Sequence, residues 1–587
     1  MIEFGRKFGK STLQVRSAID AAKSAQDSFY KRVKLRGEEI MDEIDEALIL
    51  VGRPYNTCDE GASLEVPRRL RQLGKFVIPM DFLPLLPDIL SSWPSMYWTY
   101  GYKILSAART VKNDPRLHAV FMTNFACGPD SFILQYFRKE MSGKPFLQIE
   151  VDEHSAPAGV ITRCEAFLDS IKNAPSSCVR KSIHIVPKFR KSSKRTVYLP
   201  HLGDSAWAPC SAFNKFGIPA EVISSDDETL ELGRKYTTGK ECYPCVITTG
   251  DMIKILKYKN PKEVAFLMPT TYGPCRFGQY CRLQRLILDE LGYKDVPIIS
   301  PGVPESVSFF KEYGMLSPSG VALIISALKG VITIDYLLRM RREKRPYEIE
   351  VGKTDKVYGK YLKEVCRAIQ DGGIEAVLKN AAEEFATLPT KHKQKPRIAI
   401  VGEIFVRSHD YSNNSIERRV EEYGGEVMIP PFYEWGLHTS GTRRMDAQVE
   451  GRIFPYYLTY ISEFLIRYFE RSLLLPVNKT LRTEEKVKIH KIWGAAEPYL
   501  IKWFGEPALS IGDCVLWARK KEIDGIINLM PFTCMPGNIT AAAFKGVEDD
   551  YGLPVLNIAF DGLEQGTLET RLETFMYRVK RHKTKGS

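Results

Sequence analysis

The sequence predicts an α/β protein made of several Rossmann- or flavodoxin-like parallel-sheet units, with a helical N-terminus and a helical insert. Three observations predict it. Short apolar runs of strand length alternate with helical segments along most of the chain, the pattern of repeated βαβ units. Two distant regions match one another in three blocks, in the same order. Cysteines recur where an apolar run gives way to a helix. At roughly 150 residues per domain, 587 residues are several domains' worth.

Residues 1–45 read as helix, ending in the charged stretch KLRGEEIMDEIDE. The first α/β unit spans 46–190. ALILVG (47–52) is a buried strand by its length and bounds, EVPRRLRQLG (65–74) a helix stopped by Gly74, and KFVIPM (75–80) the next strand. A helix over 97–113, a strand at 117–124, a helix over 129–142, a strand at 145–151 and a helix over 158–173 complete it. The basic stretch 174–195 reads as a boundary. The second unit, 195–345, has strands near 196–200, 219–223, 263–268 and 296–300. Residues 346–394 read as a helical linker; the sequence from 320 to 394 looks mostly helical and highly charged, a linker or a helical layer. The third unit, 395–587, opens with RIAIVG (397–402) and carries a helical insert at about 440–510.

The third unit repeats the first. Residues 49–85 lie against 399–435, AVFMTNFACGPD (119–130) against IINLMPFTCMPG (526–537), and 146–167 against 555–575. A shared T-R-x-E-x-F sets Arg163 and Glu165 opposite Arg571 and Glu573. Matched blocks in one order indicate an internal duplication.

Composition excludes several classes. Apolar residues at 44%, with 42 Gly and 35 Pro, are those of a globular chain and rule out collagen-like or low-complexity readings. The 83 Lys and Arg against 71 Asp and Glu give +12, a mild excess that suits an acidic small molecule as well as nucleic acid. No nucleic-acid partner is expected. No run of 18 apolar residues is seen, so neither a transmembrane helix nor a membrane partner is expected. The charged N-terminus lacks a signal core, which makes a cytoplasmic location the expectation. There the 12 cysteines stay reduced, and clustered ones read as metal-binding or catalytic.

Cys127, Cys275 and Cys534 each follow a strand and precede a helix, where open α/β sheets bind ligands. A helix N-terminus favours a thiolate, and the Gly and Pro beside each cysteine let the backbone approach an inorganic group. Cys242 and Cys245 form a C-x-x-C that also opens a helix. With Cys275 and Cys281 this allows a four-thiolate zinc site, a redox dithiol, an iron–sulfur cluster drawn from distant loops, or simply buried thiols. Cys58, in RPYNTCDEG, is a further candidate. Cys164, Cys178, Cys210, Cys366 and Cys514 read as structural. His154, Asp152 and Glu153 read as a solvated capping loop. No phosphate loop, dinucleotide fingerprint or nucleophile elbow is present.

Taken together, GRPYNTCDEG, VIPMDFLPL, MYWTYGYKILSAAR, NFACGPDSF, EVDEHSAPAGVITRCEAFLDS, ECYPC, GPCRFGQY, VGEIFVRSH and FTCMPGNI resemble the 2-hydroxyacyl-CoA dehydratase superfamily. More narrowly, they resemble the C-terminal half of its long CoA-substrate-specific activases, related to double-cubane cluster proteins. The resemblance implies that Cys242, Cys275 and Cys534 bind an iron–sulfur cluster, [4Fe-4S] or double-cubane, with Cys127 at the equivalent place in the first copy. Cys245, Cys281 and Cys58 are possible additional ligands. It also implies low-potential electrons from an ATP-hydrolysing activator of the acetate/sugar-kinase–Hsp70 type. The reaction would then be reductive, either on an acyl-CoA, as in 2-hydroxyacyl-CoA dehydratases, or on a small molecule. The long members carry ATPase domains and a further cysteine-bearing segment upstream, so either the first copy is degenerate or a separate chain completes it. The alternatives are an electron-relay or scaffold subunit and a zinc-stabilised binding protein.

Overall fold

A computed structural model describes residues 1–94, 96–124, 127–172, 194–271, 273–300, 317–391, 394–482, 488–500, 505–563 and 566–586. Most of the predicted boundary at 174–195, with Cys178, lies outside the described residues. The chain divides into two compact units, Met1–Ile185 with Tyr272–Pro274, and Val186–Thr271 with Cys275–Ser587.

The first unit opens with a helix at Ile2–Lys7 and a long one at Thr12–Glu43. Ser11 caps the long helix by accepting from the Gln14 amide while the Gln14 side chain returns the bond. Few of its residues are buried. Four parallel strands follow: β1 (Ala47–Gly52), β2 (Val77–Pro79), β3 (Leu117–Asn124) and β4 (Leu147–Val151). They lie in the order β2-β1-β3-β4. All six residues of β1 are buried, as a parallel strand covered by helices on both faces requires.

The second unit holds two sheets. Its first contains β5 (Thr196–Leu199), β6 (Ala220–Val222), β7 (Val264–Leu267) and β8 (Ile298–Ile299), in the order β6-β5-β7-β8. Its second contains β9 (Arg397–Gly402), β10 (Glu426–Met428), β11 (Gly525–Pro531) and β12 (Val555–Phe560), in the order β10-β9-β11-β12. Every pair is parallel. The three sheets therefore share one topology, in which the order reverses between the first and third strands. Ligands of open α/β sheets bind at that reversal, beyond the strands' carboxyl ends.

The duplication extends to backbone detail. β1 and β9 end in Gly52 and Gly402, at φ +156° and +114°. A Cβ there would stand 2.5 Å from the Met122 carbonyl oxygen and 2.0 Å from that of Leu529, equivalent residues of the two third strands, so only glycine fits. Leu64 and Glu65 are left-handed immediately before the helix Val66–Gln72. Asn414 and Ser415 repeat this before the helix Ile416–Glu422. The Arg163 and Arg571 side chains, paired by sequence, donate to the carbonyls of Gln148 and Asn557, also a matched pair.

The stretch expected as a linker is packed. Helices Lys353–Asp371 and Ile374–Thr387 supply Val365, Ile369, Leu378 and Phe385 to the core that also covers β5 and β7. The helix beginning at Pro318 departs from expectation too. Pro318–Tyr347 is long and apolar enough, by length and composition, to cross a membrane, with a mean hydropathy of 1.9 over its most apolar 18 residues. In this structure Ile332, Ile334, Leu337 and Met340 enter the same core, and buried Asp335 accepts from the Tyr433 amide at 3.0 Å. The insert consists of helices Glu434–Val449, Ile453–Val477 and Ile489–Ala496.

Candidate functional site

Four of the predicted cysteines occupy one local position. Cys127, Cys242, Cys275 and Cys534 are each the residue that caps a helical segment: Gly128–Glu140, Tyr243–Tyr258, the short turn Arg276–Gln279 that leads into Tyr280–Glu290, and Met535–Tyr551. Pro follows within two residues in three of them, where its missing amide costs nothing and its fixed φ suits a helix start. Cys127, Cys275 and Cys534 follow the third strand of their respective sheets, beside the reversal of strand order.

The second unit draws Cys242, Cys275 and Cys534 together. Cys242, when ionised, pushes up both Cys275 and Cys534, and Cys275 also acts on Cys534. Burial is the largest cause for all three and holds them as neutral thiols. The Cys534 sulfur accepts from the Gly537 amide at 3.4 Å, and the Tyr280 hydroxyl is hydrogen-bonded to the Cys242 sulfur.

Arg276 joins the three loops. It follows Cys275 directly and is 5% exposed. Its Nη1 donates to the Lys240 carbonyl at 3.0 Å, two residues before Cys242. Its Nη2 donates to the carbonyl and hydroxyl of Thr533, both at 2.9 Å, one residue before Cys534. Thr533 is left-handed at φ +62°, so the guanidinium holds a conformation that a threonine rarely adopts. Burial alone would make Arg276 easier to deprotonate. Cys242, Tyr280, Cys534 and Cys275, where ionised, outweigh that and raise Arg276 above an ordinary arginine.

Two carboxylates border the trio. Glu403, directly after β9, accepts from the Val406 amide at 2.8 Å. Glu506, at the start of the helix Glu506–Arg519, accepts from the Ile404 amide at 2.6 Å. Burial raises both well above the ordinary carboxylate range, and Glu403 raises Glu506 further. Both act on Cys534. Arg407, 4% exposed, lowers both, and its Nε is a buried donor with no hydrogen-bond partner among the described residues.

The remaining candidates fall elsewhere. Cys245 is fully buried in the first turn of its helix, pushed up by burial and then by Glu241 and Cys242. Cys281 is half-buried and acts on Arg285. In the first unit, burial and then Asp130 push Cys127 up to about 11, against Arg53. Cys58 is exposed, 3.5 Å from the Thr57 hydroxyl. Cys164, Cys210 and Cys514 sit in apolar cores, and Cys366 is half-buried. Asp152 accepts from the His154 amide and the Ser155 hydroxyl, a local turn at the surface.

Among the described residues, no three His, Cys, Asp or Glu side chains are gathered tightly enough to hold a metal ion. A cubane makes a different demand, because its corner irons bind separate thiolates and spread them apart. Three cysteine loops joined by a buried guanidinium would offer thiol donors and a compensating charge to an anionic cluster.

Arg276, Tyr280, Glu403 and Glu506 were not singled out by sequence. Arg276 lies in the quoted GPCRFGQY motif, and Glu403 faces Arg53 in the aligned repeats, so both carried a signal. Glu506 carried none.

Compared with known families, residues 1–83 match the model of the CoA enzyme activase uncharacterised domain. No curated protein matches the chain.

Proposed function

We propose that this chain is an iron–sulfur protein that accepts low-potential electrons from an ATP-driven activator and uses them in a reductive reaction, with Cys242, Cys275 and Cys534 holding the cluster. The observation that carries the reading is the convergence of these three thiols around Arg276. The match of residues 1–83 to a CoA enzyme activase domain supports a relationship between activator and enzyme. A bound cluster would supply one-electron chemistry and, with three protein thiolates, an iron open to a further ligand.

The chain's own residues supply the rest. Arg276 fixes the backbone before Cys242 and Cys534, and its charge offsets that of the thiolates. The Tyr280 hydroxyl and the Gly537 amide donate to two of the sulfurs, which lowers their electron density and tunes the potential. Burial raises Glu403 and Glu506 beside Cys534 toward neutrality, which would make a proton available where a reduction consumes one.

Anaerobic purification of the full chain tests the reading. The expected result is a brown protein with several irons and matching sulfide per chain, and loss of both in Cys275→Ser or Cys534→Ser. A colourless chain that takes up no iron on reconstitution, or one that takes up zinc alone, overturns it. Mixing the reduced protein with an ATP-driven activator and a 2-hydroxyacyl-CoA then distinguishes turnover from electron relay.

A further inference from the structure

The helix Ile453–Val477 leaves an apolar seam uncovered. Phe454, Tyr457, Ile461, Phe464, Tyr468 and Leu475 are all between 57% and 78% exposed. Their spacing is 3, 4, 3, 4 and 7, the a and d positions of a heptad, with Arg471 at the one position skipped. The opposite face, carrying Thr459, Ile466 and Leu473, is buried against helices Glu434–Val449, Pro318–Lys344 and Ile374–Thr387. The seam therefore belongs to a rigidly mounted helix. A monomer gains nothing from showing it to water, where each large apolar side chain forgoes about 1.5–3 kcal/mol of burial.

We propose that this seam pairs with the same helix of a second copy of the chain, about a two-fold axis. Three arguments select that occupant. The 3.5-residue period is what one helix presents to another helix, and a two-fold axis makes any such stripe its own complement. The positions flanking the seam offer no charge to a partner of different sequence: Ile453, Leu458, Tyr460 and Leu465 are uncharged. The flanking Arg467 is already held by Glu463 at 2.7 Å, which also accepts from Arg444 at 2.7 Å. The area is also sufficient. At about 150–250 Å² per aromatic side chain, the seam and its flanks cover roughly 800 Å² per copy, so a pair would bury about 1,600 Å², the size of a stable interface. A lipid surface fits less well. Interfacial helices turn a lysine- and arginine-rich face to water, and here the other face is packed into the protein's own core.

Sedimentation or light scattering of the full chain, over about 1–100 μM, tests the pairing. The expected result is a dimer that Ile461→Glu converts to a monomer with an unchanged circular dichroism spectrum. Phe464→Ser is the milder variant, which answers the question if Ile461→Glu loses helix content, and should raise the dimer dissociation constant at least about tenfold. A wild-type chain that stays monomeric throughout overturns the proposal. So does a dimer that survives both variants, or a monomer that sediments with phosphatidylglycerol vesicles.

Discussion

Cys127 and Cys534 stand at the same place in two copies of one fold, yet their surroundings differ in kind. Both follow the third strand of a β2-β1-β3-β4-type sheet and cap the next helix. Around Cys127 the acting charges are those of Asp130 and Arg53, with Arg53 Nε donating to the buried Asp130 at 3.2 Å and the Thr123 hydroxyl donating to it at 2.7 Å. That is a closed ion pair beside one thiol. Around Cys534 the acting groups are Glu506, Cys242, Glu403 and Cys275, with Arg276 bonded to the preceding residue. Duplication supplied the same scaffold twice. The aligned residues Arg53 and Glu403, Asp130 and Gly537, then diverged. One copy sets an arginine–carboxylate ion pair beside a single thiol, and the other gathers thiols and carboxyls from several loops.

The sharpest way to break this contrast is to exchange cysteines. Cys534→Ser should remove essentially all iron and sulfide from the anaerobically purified chain, whereas Cys127→Ser should leave most of both. If Cys127→Ser alone bleaches the protein, the assignment of the two copies is reversed.

Arg276→Ala comes next. It leaves the Lys240 and Thr533 carbonyls without their buried donor and frees a strained threonine, so it should cost about 2–4 kcal/mol in urea unfolding. Iron content should fall with it. Arg276→Lys keeps the charge but not the fork that spans two loops, and should recover only part of either loss.

In the first copy, Arg53→Ala should cost about 1–3 kcal/mol, because Asp130 stays buried and loses its ion-pair partner while keeping the Thr123 hydroxyl. Its iron content should equal that of wild type. A drop in iron here would mean that the two copies share a function.

The smallest effect concerns Glu506. A carboxyl whose pKa is raised by folding stabilises the folded chain fully below the unfolded value near 4.5, and that stability is lost as pH rises through the raised value. Glu506→Gln removes one such group. Its melting temperature should exceed that of wild type at pH 8 and match it at pH 5. Equal melting at both would place these carboxyls in ordinary solvent.

Much of this was legible along the chain, for local reasons. ALILVG and RIAIVG announce buried strands by apolar length, and the glycines closing them announce a turn that a Cβ would block. The cysteine loops were legible because Gly and Pro beside a strand end mark a helix start. The helices between 318 and 387 were legible as helices, a linker or a layer, but their packing was not. Their charges suggested a linker, because a sequence does not reveal that Arg342 and Arg345 will pair with Glu417 and Glu421 some 75 residues away while Ile332 and Leu337 turn inward.

By itself, the sequence determined the α/β class, the duplication and the positions of the thiols, since each depends on periodicity and neighbours within a few residues. Local pattern left open which thiols meet: the resemblance named a trio, and the fold joins its loops through Arg276. Cys242, Cys275 and Cys534 are separated by 33 and 259 positions. Their convergence depends on Arg276 reaching two other loops and on Glu506 arriving from a helix with no local mark. Such contacts arise only when sheets and helices bury their apolar faces, and burial then sets the charge state of every group they enclose.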